Sequence, residues 1–99
     1  MALRQPVPVE QADAVGAVHF IAAGGAGMSG IAAAYAALGV PTSGSDMADS
    51  DTLRKLAREG VTTYVGHDPA QLGDAATVVV SSAIRESNVE LAEARRRGL

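Results

Sequence analysis

Residues Gly24-Gly25-Ala26-Gly27-Met28-Ser29-Gly30 directly follow the apolar run Val18-His19-Phe20-Ile21, and this pairing has more chemical potential than any other in the chain. A buried strand that empties into a glycine loop and then a helix makes a seat for an anion. Glycines let the backbone approach a phosphate, and the unpaired amides and positive dipole end of the helix face it. The dinucleotide fingerprint G-x-G-x-x-G aligns its glycines with positions 22, 24 and 27, where this chain has Ala22, Gly24 and Gly27. An alanine at the first position calls for a negative φ or a shifted loop, because that glycine normally makes the tight turn. Asp46 lies 22 residues beyond Gly24 at the end of the next apolar run. That is the spacing of the carboxylate that accepts ribose hydroxyls, although Asp46 as a simple loop cap fits the same position.

Two further segments fall on the same rim. Ser81-Ser82-Ala83-Ile84 follow a β-branched run and can line the wall opposite the glycine loop, or serve only as a turn. Gly66-His67-Asp68 end another run; His67 can hydrogen-bond a base or ribose, or pair with backbone or solvent. His19, inside the first apolar run, reads as structural. No metal-ligand spacing and no nucleophile–base pair can be assembled, so neither a catalytic residue nor a metal site is assigned. The phosphate loop G-x-x-x-x-G-K-[ST] does not occur, so ATP is not expected to bind through it.

The elements that must position these residues alternate. Apolar runs at 17–22, 40–45, 61–65 and 76–81 read as strands, and Val78-Val79-Val80 has the uninterrupted character of a strand buried on both faces. Met28, Ile31, Tyr35 and Leu38 follow helical spacing up to the capping Gly39, and a second helix runs from Asp49 or Ser50 to Gly60. Asp68-Pro69 open a short turn that Gly73 closes. Ser87-Asn88-Val89-Glu90 match the S-x-x-E capping box and begin a third helix ending near Gly98. The pattern predicts an α/β fold: a Rossmann-like parallel sheet in the order 3-2-1-4, helices on both faces, and a crevice between the first and fourth strands. Residues 1–16 read as a flexible leader and 17–99 as one domain. Because Gly98-Leu99 follow a helix that would ordinarily lead into another strand, the chain reads as an excised domain lacking its last strand or strands through truncation.

A formal net charge of −3 disfavours a nucleic-acid surface, and the basic cluster Arg95-Arg96-Arg97 sits where a helix end favours cations. No cysteine is present, which removes disulfides and thiolate metal sites. Nothing resembles a signal peptide or a membrane span, so a cytoplasmic protein with no membrane partner is expected.

The segments quoted above, taken in order, resemble the N-terminal domain of the Mur ligase family: His19 to Ala32 with its glycine loop, Ser43-Gly44-Ser45-Asp46, Gly66-His67-Asp68, Val79 to Ile84, and Asn88 with Glu90-Leu91. The likeness is to the branch that adds L-alanine to UDP-N-acetylmuramic acid. It implies a three-domain enzyme whose first domain holds the UDP part of that substrate, while the remaining ligase chain binds ATP and magnesium and receives the amino acid. By position, Gly24, Gly25, Ala26, Gly27, Met28 and Ser29 would form the diphosphate loop. Asp46 and His67 would lie near the uridine, and Ser81, Ser82, Ala83 and Ile84 near the diphosphate and sugar. The implied chemistry turns the lactyl carboxylate into an acyl phosphate that the alanine amine attacks, with no catalytic residue and no cofactor in residues 1–99. Two positions depart from the family pattern: Ala22, where glycine is usual, and Val89, where proline usually opens the third helix and whose loss Ser87 and Glu90 would cover by capping. A nicotinamide- or flavin-binding domain of an oxidoreductase shares the fold, the loop and Asp46 and is the alternative. A nucleotide-sensing module without catalysis is a third.

Overall fold

The computed structural model describes residues 16–81 and 84–99. Its strands are β1 (Val18–Ile21), β2 (Thr42–Asp46), β3 (Thr62–Val65) and β4 (Thr77–Val80); its helices are α1 (Ala26–Ala37), α2 (Asp51–Arg58) and α3 (Val89–Arg96). A 3-10 turn, Pro69–Leu72, bridges β3 and β4. The sheet is wholly parallel in the order β3-β2-β1-β4, as the alternation of elements predicts.

Each choice has a local cause. All four residues of β1 are buried, since strands flank it on both sides and helices cover both faces. Val40 and Pro41 precede β2 rather than belonging to it; proline has no amide for the ladder, and its carbonyl instead accepts from the Val18 amide at 2.9 Å. Ser50 caps α2 by accepting from the Leu53 amide at 3.0 Å, and Gly60 leaves that helix at φ +99°. Asp68 caps the 3-10 turn in the same manner, accepting from the Ala70 amide at 2.8 Å.

Helices do cover both faces. On one, Phe20 and Val18 pack with Ala32 and Tyr35 of α1 and Leu53 and Leu56 of α2; the Phe20 and Tyr35 rings stand 5.9 Å apart, centroid to centroid. On the other, Ile21 and Val80 pack with Leu91 of α3. The small residues of α1 permit close approach to the sheet. Gly44 is required for the same reason, because a Cβ there would come within 2.6 Å of the Ala23 Cβ.

Two expectations are corrected. Ala22 has φ +68°, not a negative value, so alanine occupies the left-handed turn that glycine fills in the fingerprint. The capping box at α3 does not form. Asn88 is the cap, its Oδ1 accepting from the amides of Glu90 at 2.9 Å and Leu91 at 3.2 Å, while the fully buried Glu90 side chain turns into the protein. Ser87 and Glu90 therefore do not compensate for the missing proline; Asn88 does. Elsewhere α1 starts at Ala26, two residues before the predicted Met28, because Gly25 already supplies an extended cap (φ −67°, ψ 148°).

Candidate nucleotide site at the carboxyl rim

The carboxyl ends of the four parallel strands meet at one rim, where Ala22 leaves β1, Asp46 ends β2, His67 follows β3 and Ile84 follows β4. A cleft of about 340 Å³ opens there, lined by those four residues together with Met47, Arg85, Ser87 and Asn88. Three of the residues expected to bind a ligand, Asp46, His67 and Ile84, thus share one cleft although they are far apart in the chain.

The glycine loop borders this cleft through Ala22 and Asp46. The Gly24 amide donates to Asp46 Oδ2 at 2.9 Å, and the Met47 amide donates to Oδ1 at 2.8 Å. Glycine at 24 suits this contact, since a Cβ would sit 2.6 Å from Oδ2 and the carboxylate would have to move aside. The Gly25 amide is also used internally, donating to the Ala22 carbonyl at 3.1 Å. Met28 and Ser29 donate to the Gly25 carbonyl at 3.1 and 3.0 Å. Helix geometry offers no partner to the amides of Ala26 and Gly27, and the Gly25 cap brings no side-chain oxygen. The anion-facing donors of the loop are thereby narrowed to those two. Gly24, Gly25, Gly27, Met28 and Ser29 do not line the cleft themselves; Ser29 faces a separate hollow between α1 and α2. Ser81 follows β4 and its carbonyl accepts from the Ile84 amide at 3.1 Å, but it too lies outside the cleft lining. Ser82 and Ala83 lie outside the described residues.

Beneath the cleft lies a polar cluster that sequence reasoning did not assemble. Glu90 is fully buried. Its Oε1 accepts from His19 Nε2 at 2.5 Å and from Ser45 Oγ at 2.7 Å. Its Oε2 accepts from His67 Nδ1 at 2.8 Å and from the Asp68 amide at 3.2 Å. Gln71, with its amide turned so that Nε2 meets acceptors, adds a donor to Oε2 at 3.0 Å. His19 Nδ1 pairs with Ser43 Oγ at 2.7 Å, across the register that sets His19 beside Ser43. Burial pushes the Glu90 carboxyl up, but hydrogen bonds from His19, Ser45 and His67 outweigh it and hold the carboxyl below its ordinary range. An ionised carboxylate with donors on both oxygens is the form in which a buried glutamate is tolerated. The available signal was the polar His19 within a buried run and the i, i+2 pair Ser43 and Ser45 on one face of β2. Both point to a polar partner under the sheet, and neither says which element supplies it. His67 does pair internally, through Nδ1 with the Glu90 carboxylate rather than with backbone or solvent, while its side chain borders the cleft.

The basic cluster at the end of α3 is taken up in ion pairs, and none of its three arginines lines the cleft. Arg96 and Arg97 pair with Glu93 at 2.6 and 2.7 Å and Arg95 pairs with Glu86 at 2.7 Å. Among the described residues no group of three histidines, aspartates or glutamates is arranged to hold a metal, and no helix is long and apolar enough to cross a membrane.

A parallel sheet ordered 3-2-1-4 with helices on both faces, a glycine-rich loop after the first strand and an acidic residue closing the second defines a Rossmann-like α/β domain. Residues 17–99 match the model of the Mur ligase family, catalytic domain. The chain is 61% identical over 99 residues to a UDP-N-acetylmuramate–L-alanine ligase of Cutibacterium acnes and 54% identical over 99 residues to one of Thermobifida fusca, covering all of this chain and 21% of each relative. The crystal structure of a UDP-N-acetylmuramate-alanine ligase from Thermotoga maritima superposes with a TM-score of 0.78 at 28% identity, covering 82% of this chain and 19% of that one. This chain belongs to the Mur ligase family. It spans about a fifth of the length of the curated relatives it matches.

Proposed function

We propose that the chain is the part of a UDP-N-acetylmuramate–L-alanine ligase that binds the UDP moiety of UDP-N-acetylmuramic acid, in the cytoplasmic stage of peptidoglycan precursor synthesis. The observation that carries this reading is the convergence of Asp46, His67 and Ile84 on one cleft beside the glycine loop, in a chain similar over its whole length to ligases of that name from Cutibacterium acnes and Thermobifida fusca. The amides of Ala26 and Gly27, to which the first helical turn supplies no intrahelical acceptor, suit a diphosphate, and an anion at that helix end gains from its dipole. Asp46 suits ribose hydroxyls: each of its oxygens already accepts one backbone amide and retains a lone pair for a second donor. Ser81 and Ile84, which follow β4, would then approach the diphosphate and sugar from the opposite side. In the whole enzyme the rest of the ligase chain would hold ATP and magnesium, which supply the acyl phosphate that alanine attacks. The residues of this chain bind and orient; no bond-making step is assigned to them.

Titration calorimetry with UDP-N-acetylmuramic acid, UDP, NADH and ATP tests the reading. Binding of the two uridine compounds with none of NADH or ATP is expected. Binding of NADH without the uridine compounds would instead identify a dinucleotide-binding domain of an oxidoreductase and overturn the proposal.

A further inference from the structure

The hydrogen-bond inventory beneath the cleft determines where the His67 proton resides. The single hydroxyl proton of Ser45 is given to Glu90 Oε1 at 2.7 Å. His67 Nδ1, 3.0 Å from the same Ser45 oxygen, must therefore donate to it. Glu90 Oε2, 2.8 Å from Nδ1, is a carboxylate oxygen and likewise only accepts. Both contacts require Nδ1–H. Nε2 is the ring nitrogen that Ser45 and Glu90 do not engage, and it belongs to a side chain that is 18% exposed at the cleft. On the far side of Glu90, His19 Nε2 occupies Oε1 in the same sense, with Ser43 available to donate to His19 Nδ1. The carboxylate is thus pinned between two histidines and cannot rotate away from His67 without unpairing a buried group.

We infer that Glu90 is a positioning residue that holds His67 as the Nδ1–H tautomer, so that Nε2 presents a lone pair to the cleft and recognises the N3–H donor of a uracil base. The inference rests on the uridine reading above and names the feature that would select that base. Uracil carries a proton on N3 and cytosine carries a lone pair there, so cytosine would meet Nε2 lone pair to lone pair. A site built to satisfy a donor rejects the analogue lacking it, because the acceptor is then left desolvated and unpaired.

Two measurements on the 99-residue chain test this separately. Long-range 15N–1H correlation at about pH 8, where an ordinary imidazole is neutral, reads the tautomer without any ligand. Nδ1–H is expected for His67, and an Nε2–H tautomer overturns the inference whatever binds. Calorimetry with UDP, CDP and 3-methyl-UDP then reads the discrimination. UDP is expected to bind about tenfold or more tightly than either analogue, the size of one lost buried hydrogen bond. His67→Ala is expected to bring the three affinities close together. Glu90→Gln, which offers an amide in place of two acceptor oxygens, is expected to raise the Nε2–H population and shrink the UDP preference. Equal binding of UDP, CDP and 3-methyl-UDP by the wild-type chain overturns the acceptor role but leaves the uridine-nucleotide reading intact, whereas absence of UDP binding overturns both. Should Glu90→Gln fail to fold, the wild-type tautomer and the wild-type nucleotide series still decide the matter.

Discussion

Replacing Ala22 by glycine should stabilise this domain, against the usual effect of introducing glycine. Ala22 has φ +68°, and an L-residue with a Cβ in the left-handed well is strained by about 1–2 kcal/mol. Glycine removes that strain. It also loses about 0.5–1 kcal/mol through the greater freedom of the unfolded chain, and gives up part of the contact of a half-buried methyl. The balance is a gain of about 0.5 kcal/mol, at most about 1. For a domain of this size each kcal/mol moves the melting temperature by about 4–8 °C, so a rise of about 2–8 °C is expected. Calorimetric melting of wild type, Ala22→Gly and Ala22→Val is the assay. The valine variant should melt lowest, because a β-branched side chain is most strongly excluded from positive φ. A glycine variant that melts at or below the wild-type temperature would refute the reasoning, since it would mean that the turn after β1 is not held in the left-handed well.

Other outcomes follow from the same geometry. Glu90→Ala leaves His19, Ser45 and His67 with unpaired buried groups and should cost about 3–5 kcal/mol, a large share of the stability of a small domain; urea denaturation measures it, and a loss under about 1 kcal/mol would contradict the buried network. A Cβ on Gly24 would sit 2.6 Å from Asp46 Oδ2, so Gly24→Ala should displace that carboxylate from the Gly24 amide, with UDP affinity expected to fall by about tenfold; unchanged binding would dissociate the Gly24–Asp46 contact from the site. Glu90 lies below its ordinary carboxylate range, and Glu93 is held at about 2 by hydrogen bonds from Arg96 and Arg97. Depressed folded-state values stabilise the domain above the unfolded carboxylate range and lose that contribution as the groups protonate. Stability should therefore fall between about pH 5 and pH 2, and a flat urea midpoint across that interval would contradict the assignment.

Much of the architecture was legible along the chain. Val78-Val79-Val80, the helical spacing from Met28 to Leu38 and the punctuation by Gly39, Gly60 and Gly73 are local signals, and a parallel sheet with right-handed crossovers leaves few ways to connect such elements. The strand order and the placement of Asp46, His67 and Ile84 on one rim follow from that topology. The boundaries shifted by one or two residues, as at Val40-Pro41, where a missing amide keeps proline out of the ladder. Glu90 was misread for a physical reason. A capping glutamate and a buried one look the same in an S-x-x-E string, and the difference lies in His19, 71 residues away.

The amino-acid sequence by itself determined the alternation of strands and helices, the glycine turn, the acidic residue at the end of β2 and the family to which these belong, because each is written in residues near one another or in a fixed topology. Only the tertiary structure decided that Ala22 takes the left-handed turn, that Asp46 is tied to the Gly24 amide, and that Glu90 joins His19, Ser45 and His67 under the cleft. Backbone conformation at one residue and the partner of a buried charge are set by what packing brings alongside, and no local pattern encodes which distant donor will arrive there.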